Sequence, residues 1–234
     1  EKQQAAKQAT GRDLVLEGPI RLRPSLRPTL EVERVAFANT SWGSRPEMAK
    51  LASMEVALSV LPLIRGEIAV DRVVLVEPDI LLETDAQGRG NWEGVGQPAR
   101  QAEQPAPAAE ASEPPAEPDA TPASRSKPLT LDIDSLTVSD ARVTYSDAKT
   151  GQQYSAESIE LTTGAIREGS PIPLKLNAFF GSNKPVMRAR TELQGALRFD
   201  NQLKRYQFED MRLSGEASGE PLQGQTLTFS AQGQ

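Results

Sequence analysis

Apolar and polar residues alternate with a period of two along most of the chain, the pattern of strands with one dry and one wet face. Leu14-Val-Leu16 and Ile20-Arg-Leu22 read as short strands around Gly18-Pro19. Between Thr29 and Ala38 the apolar positions pass through Leu30 and Val32, then change phase to Val35 and Phe37. A change of phase inside a strand is the mark of a β-bulge. Met54 to Val60 gives another strand, with Val56 and Leu58 on one face. Ile68 to Val76 follows, broken at Glu77-Pro78-Asp79. Ile80 to Thr84 is expected to return as the second arm of a hairpin, with the next turn at Asp85-Ala-Gln-Gly-Arg-Gly-Asn91. The same design recurs from Ile133 to Gly151, where Asp134 matches Asp71, Leu136 matches Val73 and Val138 matches Leu75. A hairpin module used twice is the expectation.

Strands continue almost to the C-terminal end: Leu131–Ile133, Leu136–Val138, Val143–Tyr145, Ser158–Thr162, Leu174–Phe179, Val186–Leu193, Leu197–Phe199, Tyr206–Leu213 and Leu227–Phe229. Turn signals such as Lys149-Thr-Gly151 and Gly181-Ser-Asn183 separate them, which makes an antiparallel meander and not alternating strand and helix. Short helices are expected only at Glu1–Thr10 and as a turn at Glu47–Lys50. From Val95 to Pro128 the composition turns to Pro, Ala, Glu and Ser, with too little to bury to offset its ordering entropy. The expected organisation is a β region over 1–94, a disordered insertion over 95–128, and more of the same sheet over 129–234.

Composition narrows the chemistry. The chain has 234 residues, net charge −6, no cysteine and no histidine. A Ser-His-Asp triad, a Cys-His pair and an imidazole metal site are therefore excluded. The acidic balance argues against nucleic acid as a partner. Basic residues gather at Arg21, Arg23 and Arg27, either a solvated strand face or a contact to anionic headgroups. The carboxylates Asp71, Glu77, Asp79, Glu83 and Asp85 alternate out of phase with the apolar positions or sit in turns. Asp85-Ala-Gln-Gly-Arg-Gly90 lacks the repeated ligands of a calcium loop, and Gly88-Arg-Gly90 lacks the lysine of a phosphate loop. Trp42 and Trp92 read as core or rim anchors. Catalysis, metal binding and cofactor binding are not expected. A sheet with this much apolar surface either closes on itself as core or curves into an open trough, and periodicity does not separate the two.

The residues also carry a resemblance. Thr10-Gly-Arg-Asp-Leu14 with Gly18-Pro19, Ala38-Asn39 with Trp42, and Pro46-Glu-Met-Ala49 resemble the amino-terminal region of the AsmA family. So do Leu61-Pro-Leu-Ile-Arg-Gly66, Glu77-Pro-Asp79 and Asp85-Ala-Gln-Gly-Arg-Gly-Asn-Trp92. The resemblance implies a periplasmic protein of Gram-negative bacteria, held in the inner membrane by an amino-terminal helix that this sequence lacks. It further implies kinship with bridge-like lipid transfer proteins, whose curved sheets hold phospholipid chains in an apolar groove. About a dozen strands at roughly 4.8 Å spacing would stack to about 50–60 Å, less than an envelope.

The expected fold is therefore mostly β, a curved antiparallel sheet forming an open groove, with a few short helices and the Pro/Ala/Glu-rich insertion. The expected groove residues are Leu14, Leu16, Ile20, Leu22, Leu30, Val32, Val56, Leu58, Ile68, Val70, Val73, Leu75, Leu131, Ile133, Leu136, Val138, Leu174 and Leu176. Each methylene of an acyl chain laid against them gains about 0.8 kcal/mol, so no special polar site is required. The expected function is phospholipid transport between the membranes and outer-membrane biogenesis, without enzymatic activity. The alternative is a scaffold that regulates outer-membrane protein assembly by binding an outer-membrane or periplasmic partner.

Overall fold

A computed structural model describes residues 14–60, 69–93, 95, 132–200 and 205–233. Ile68, Leu131, the segment Glu1–Thr10, the corner Leu61–Ile64 and nearly all of the Pro-rich stretch lie outside these residues. The described chain forms one sheet of twelve strands. They are β1 (Leu14–Leu16), β2 (Ile20–Arg23), β3 (Thr29–Ala38), β4 (Glu47–Leu58), β5 (Val70–Val76) and β6 (Asp79–Thr84). Then come β7 (Ile133–Asp147), β8 (Gln152–Thr163), β9 (Ile172–Asn183), β10 (Val186–Asp200), β11 (Arg205–Gly219) and β12 (Leu227–Gly233). The one described helix is a 3-10 turn at Glu220–Leu222. The sheet runs β1-β3-β4-β5-β7-β8-β9-β10-β11-β12, with β2 beside β3 and β6 between β4 and β7. It is open: β1 and β2 line one edge and β12 the other.

Three expectations change. Glu47–Lys50 is not a helical turn but the start of β4, because Ala49 and Lys50 pair with Ile80 and Asp79 of β6. β5 and β6 do not fold back on each other as a hairpin. They lie end to end between β4 and β7, interrupted only by Glu77 and Pro78. The sheet is consequently mixed, since β5 and β6 both run parallel to β7 while the other pairings are antiparallel.

The internal repeat explains that parallel pairing. Val70 faces Ile133, Val76 faces Ser139, Asp79 faces Arg142 and Thr84 faces Asp147, a constant offset throughout. The two copies lie side by side with equivalent residues opposed. Each has a left-handed residue at the same place, Glu77 (φ 51) and Asp140 (φ 51). Arg34 of β3 (φ 48) and Ser158 of β8 (φ 47) take the same conformation.

These residues lie near one line across the sheet, because Glu33 and Val76 both face Ser53 and Ala141 faces Ile159. A left-handed residue adds an unpaired step that reverses alternation, and such features bend strands and tighten twist. Since β3, β5–β6 and β7 step together, the β3–β4, β4–β5/β6 and β5/β6–β7 registers run through the line unbroken. Between β8 and β9 the step is absorbed by a register shift at Glu157/Glu160. The phase change read at Val32–Val35 is the first member of this line.

Candidate functional site: an apolar sheet face

Opposed residues on neighbouring strands share a face, so the register defines what each side of the sheet displays. One row crosses ten strands as Ile20, Val32, Met54, Leu75, Val138, Leu161, Leu176, Leu193, Leu213 and Ala231. A second row, beyond the line of left-handed residues, reads Leu14, Phe37, Ala49, Ile80, Val143, Ala156, Phe180, Ala189, Ala217 and Leu227. Both rows occupy one face, because Leu176 and Phe180 are four residues apart in β9, whose register with β10 is unshifted. Every position in both rows is apolar.

The expected groove residues within the described chain fall on this face. Ile20, Val32, Leu75, Val138 and Leu176 belong to the first row and Leu14 to the second. Leu16 pairs with Val35 beside it. Leu22, Leu30, Val56, Val73 and Leu136 form a parallel row, with Leu174 farther along the same face on β9. Leu58, Val70 and Ile133 extend it to Ile166 at the border. The sequence reading omitted most of the face contributed by β8, β10, β11 and β12, notably Leu161, Leu193, Leu213 and Phe229. Their alternation was visible in Ser158–Thr162, Val186–Leu193 and Tyr206–Leu213, but no partner strand fixed which parity faced in.

Sustained contacts among the described strands join only neighbours within the sheet. Even so, Val32 (4% exposed), Val138 (9%), Ala178 (2%) and Ala217 (9%) are nearly dry. Side chains on this face crowd one another, as they do on the inner side of a bent sheet. It is a broad open surface. A depression of about 960 Å³ lies mainly on the opposite side, lined by residues such as Ser155, Glu157, Phe179, Arg190 and Glu216.

That opposite side is polar and ion-paired. Arg23 pairs with Glu31 at 2.8 Å, Arg21 with Glu33, Arg72 with Glu55, and Arg27 with Asp71 at 3.6 Å. The basic cluster at Arg21–Arg27 therefore spends its charge on the sheet's own carboxylates.

The residues that carried the family resemblance lock the loops at one border. Asn91, fully buried, donates to Leu81 O (2.9 Å) and Asn39 Oδ1 (3.0 Å) and accepts from Glu83 N (3.0 Å). Glu83, itself buried, accepts from Asn39 Nδ2 (3.1 Å) and Ser44 N (3.1 Å). Arg45 grips Asp79 through both nitrogens, at 2.9 and 3.1 Å. Partial burial would raise the Asp79 pKa, but the Arg45 hydrogen bonds and charge, with Lys50 and Arg142, hold it below its ordinary 3.8. Gly90 is required because the Trp92 ring lies where a Cβ would project. Asp147, the counterpart of Asp85 in the second copy of the repeat, accepts from the Thr150 hydroxyl and the Lys149 N–H, which lowers its pKa too.

These carboxylates are committed to turns and loop locks, and no cluster of three metal-ligating side chains occurs among the described residues. No helix among them is long and apolar enough to cross a membrane.

An open sheet, apolar on one face and ion-paired on the other, defines the class of β-groove proteins. The chain belongs to the AsmA family, whose model matches residues 1–233. No curated protein matches the sequence. Membership is consistent with a role in lipid transport or outer-membrane biogenesis, and family members are generally periplasmic and membrane-associated.

Proposed function

We propose that this protein holds phospholipid acyl chains against its apolar face and passes them along the stacked strands between the inner and outer membranes. In this reading it works in the periplasm from an inner-membrane anchor, without catalysis or cofactor. The observation that carries the reading is the unbroken apolar row from Ile20 to Ala231, beside a row one residue away that is polar at nearly every strand. Such a face left to water in a monomer would be an aggregation hazard, whereas acyl chains cover it without any directional contact. Strands are about 4.8 Å apart, so an extended acyl chain of roughly 20 Å spans four or five of them. Small steps between equivalent positions then suffice for movement.

Native mass spectrometry of the purified chain, followed by lipid extraction, tests this. Phospholipid bound at near-stoichiometric amounts is the expected result. A protein that stays lipid-free after incubation with phosphatidylethanolamine and phosphatidylglycerol vesicles would contradict it.

A second reading, a scaffold for a protein partner in envelope assembly, draws on the polar face. There Phe179 is half exposed, with the Arg190 guanidinium 5.8 Å from its ring centre. Exposed aromatic and arginine residues together are characteristic of protein-binding anchors.

A further inference from the structure

The two long borders of the apolar face differ where β4 to β8 meet them. At one border the face ends in aliphatic side chains, Leu58, Val70, Ile133 and Ile166, opposed in that order. At the other it ends in aromatic rings. Tyr145 faces Leu82 on one side and Tyr154 on the other, placing both tyrosines on the apolar face. The Tyr145 and Tyr154 rings are stacked at 6.3 Å, and Trp92 lies 6.3 Å from Tyr145.

This ladder is built in and half open. Gly90 leaves room for the indole, and buried Asn91 fixes its chain neighbour. Trp92 is 40% exposed and Tyr154 45%. Neither tyrosine hydroxyl nor the indole N–H has a hydrogen-bond partner among the described residues. Lys149 and Lys184, in the turns just beyond, form no ion pair among those residues. The Asn183 side chain joins these two turns through Gly151 O (3.1 Å) and Gln153 N (2.7 Å).

Tyr and Trp side chains with an apolar body and a free polar tip settle where hydrocarbon meets water, at the ester and phosphate level of a lipid. We propose that the Trp92–Tyr145–Tyr154 ladder is the binding site for the glycerol-ester and phosphate region of a bound phosphoglyceride. The headgroup then leaves the face over the Lys149 and Lys184 turns, and the acyl chains lie toward the aliphatic border. This orientation rests on the lipid reading above and adds the side on which headgroups travel.

The test uses a Trp42→Phe background, in which Trp92 is the sole tryptophan. Its fluorescence is followed after loading from phosphatidylethanolamine/phosphatidylglycerol vesicles that carry a nitroxide either on the headgroup or at the acyl-chain terminus. Native mass spectrometry of the same samples records bound lipid. The headgroup nitroxide is expected to quench Trp92 at least about twofold more strongly, as for an indole at an interface. Tyr145→Leu with Tyr154→Leu is expected to keep lipid on the protein while removing that difference. Equal or reversed quenching with lipid bound overturns the orientation and leaves lipid binding intact. No lipid bound to any variant overturns both.

Discussion

Two rows, one residue apart on the same ten strands, have opposite chemistry. Ile20, Val32, Met54, Leu75, Val138, Leu161, Leu176, Leu193, Leu213 and Ala231 make one. Arg21, Glu31, Glu55, Val74, Thr137, Thr162, Lys175, Gln194, Arg212 and Gln232 make the other. Both rows have the same backbone and much the same propensity for strand. Register alone separates them, and a slip of one residue would exchange the faces. The apolar row has no requirement beyond contact, whereas the polar row needs particular partners. Glu31 and Glu55 oppose each other, and only Arg23 and Arg72 make that pairing tolerable.

The largest effect is expected from breaking the apolar row at its middle. Replacing Leu161, Leu176 and Leu193 together by Ser removes about nine apolar carbons from the face. Bound phospholipid should fall at least about tenfold, since each lost methylene contact is worth about 0.8 kcal/mol. The matching triple change on the other row, Thr162, Lys175 and Gln194 to Ser, should leave lipid within about twofold. Extraction and quantification of lipid per protein, with circular dichroism to verify folding, read both.

Asn91→Ala acts next, on the loops that brace the border. It leaves Glu83 N without its acceptor and Leu81 O and Asn39 without their donor, at a cost of about 2–3 kcal/mol in urea unfolding. Asp140→Val sharpens the comparison from the backbone side. Valine raises strand propensity yet resists φ near +51, so the variant should lose about 1–2 kcal/mol. Unchanged stability would mean that the step in phase is not fixed by the left-handed residue.

The acid response follows from Asp79. Its pKa in the fold is lowered from 3.8, so the stability it lends is present above that value and lost as pH falls through the folded pKa. Asp79→Asn should flatten the stability profile below about pH 4, read as the urea midpoint against pH. The smallest change is expected from Arg72→Ala, about 0.5 kcal/mol, because its pair with Glu55 is largely exposed.

Much of this was legible because alternation is a local property. Leu174-Lys-Leu-Asn-Ala declares its two faces without any partner, and the phase change after Val32 announced the bend at Arg34. What was not legible depended on pairing. Glu77-Pro78 has the composition of a hairpin turn, yet β6 carries straight on because β7 supplies a template along the whole length of β5 and β6. The same matching of Asp71 with Asp134 that was read as a repeated hairpin is the register of a parallel pair. Glu47–Lys50 has helix-forming residues, but strand partners on both sides override that preference. The Asn39–Glu83–Asn91 lock joins residues far apart in sequence, and no spacing reveals such a contact.

The most direct test of the central claim compares neighbours of opposite facing. A photoreactive amino acid is placed at Leu176 in one variant and at Lys175 in another, and each protein is irradiated with phospholipid vesicles. The account predicts lipid adducts at position 176 and essentially none at 175. Equal labelling at both, or none at 176, would contradict it.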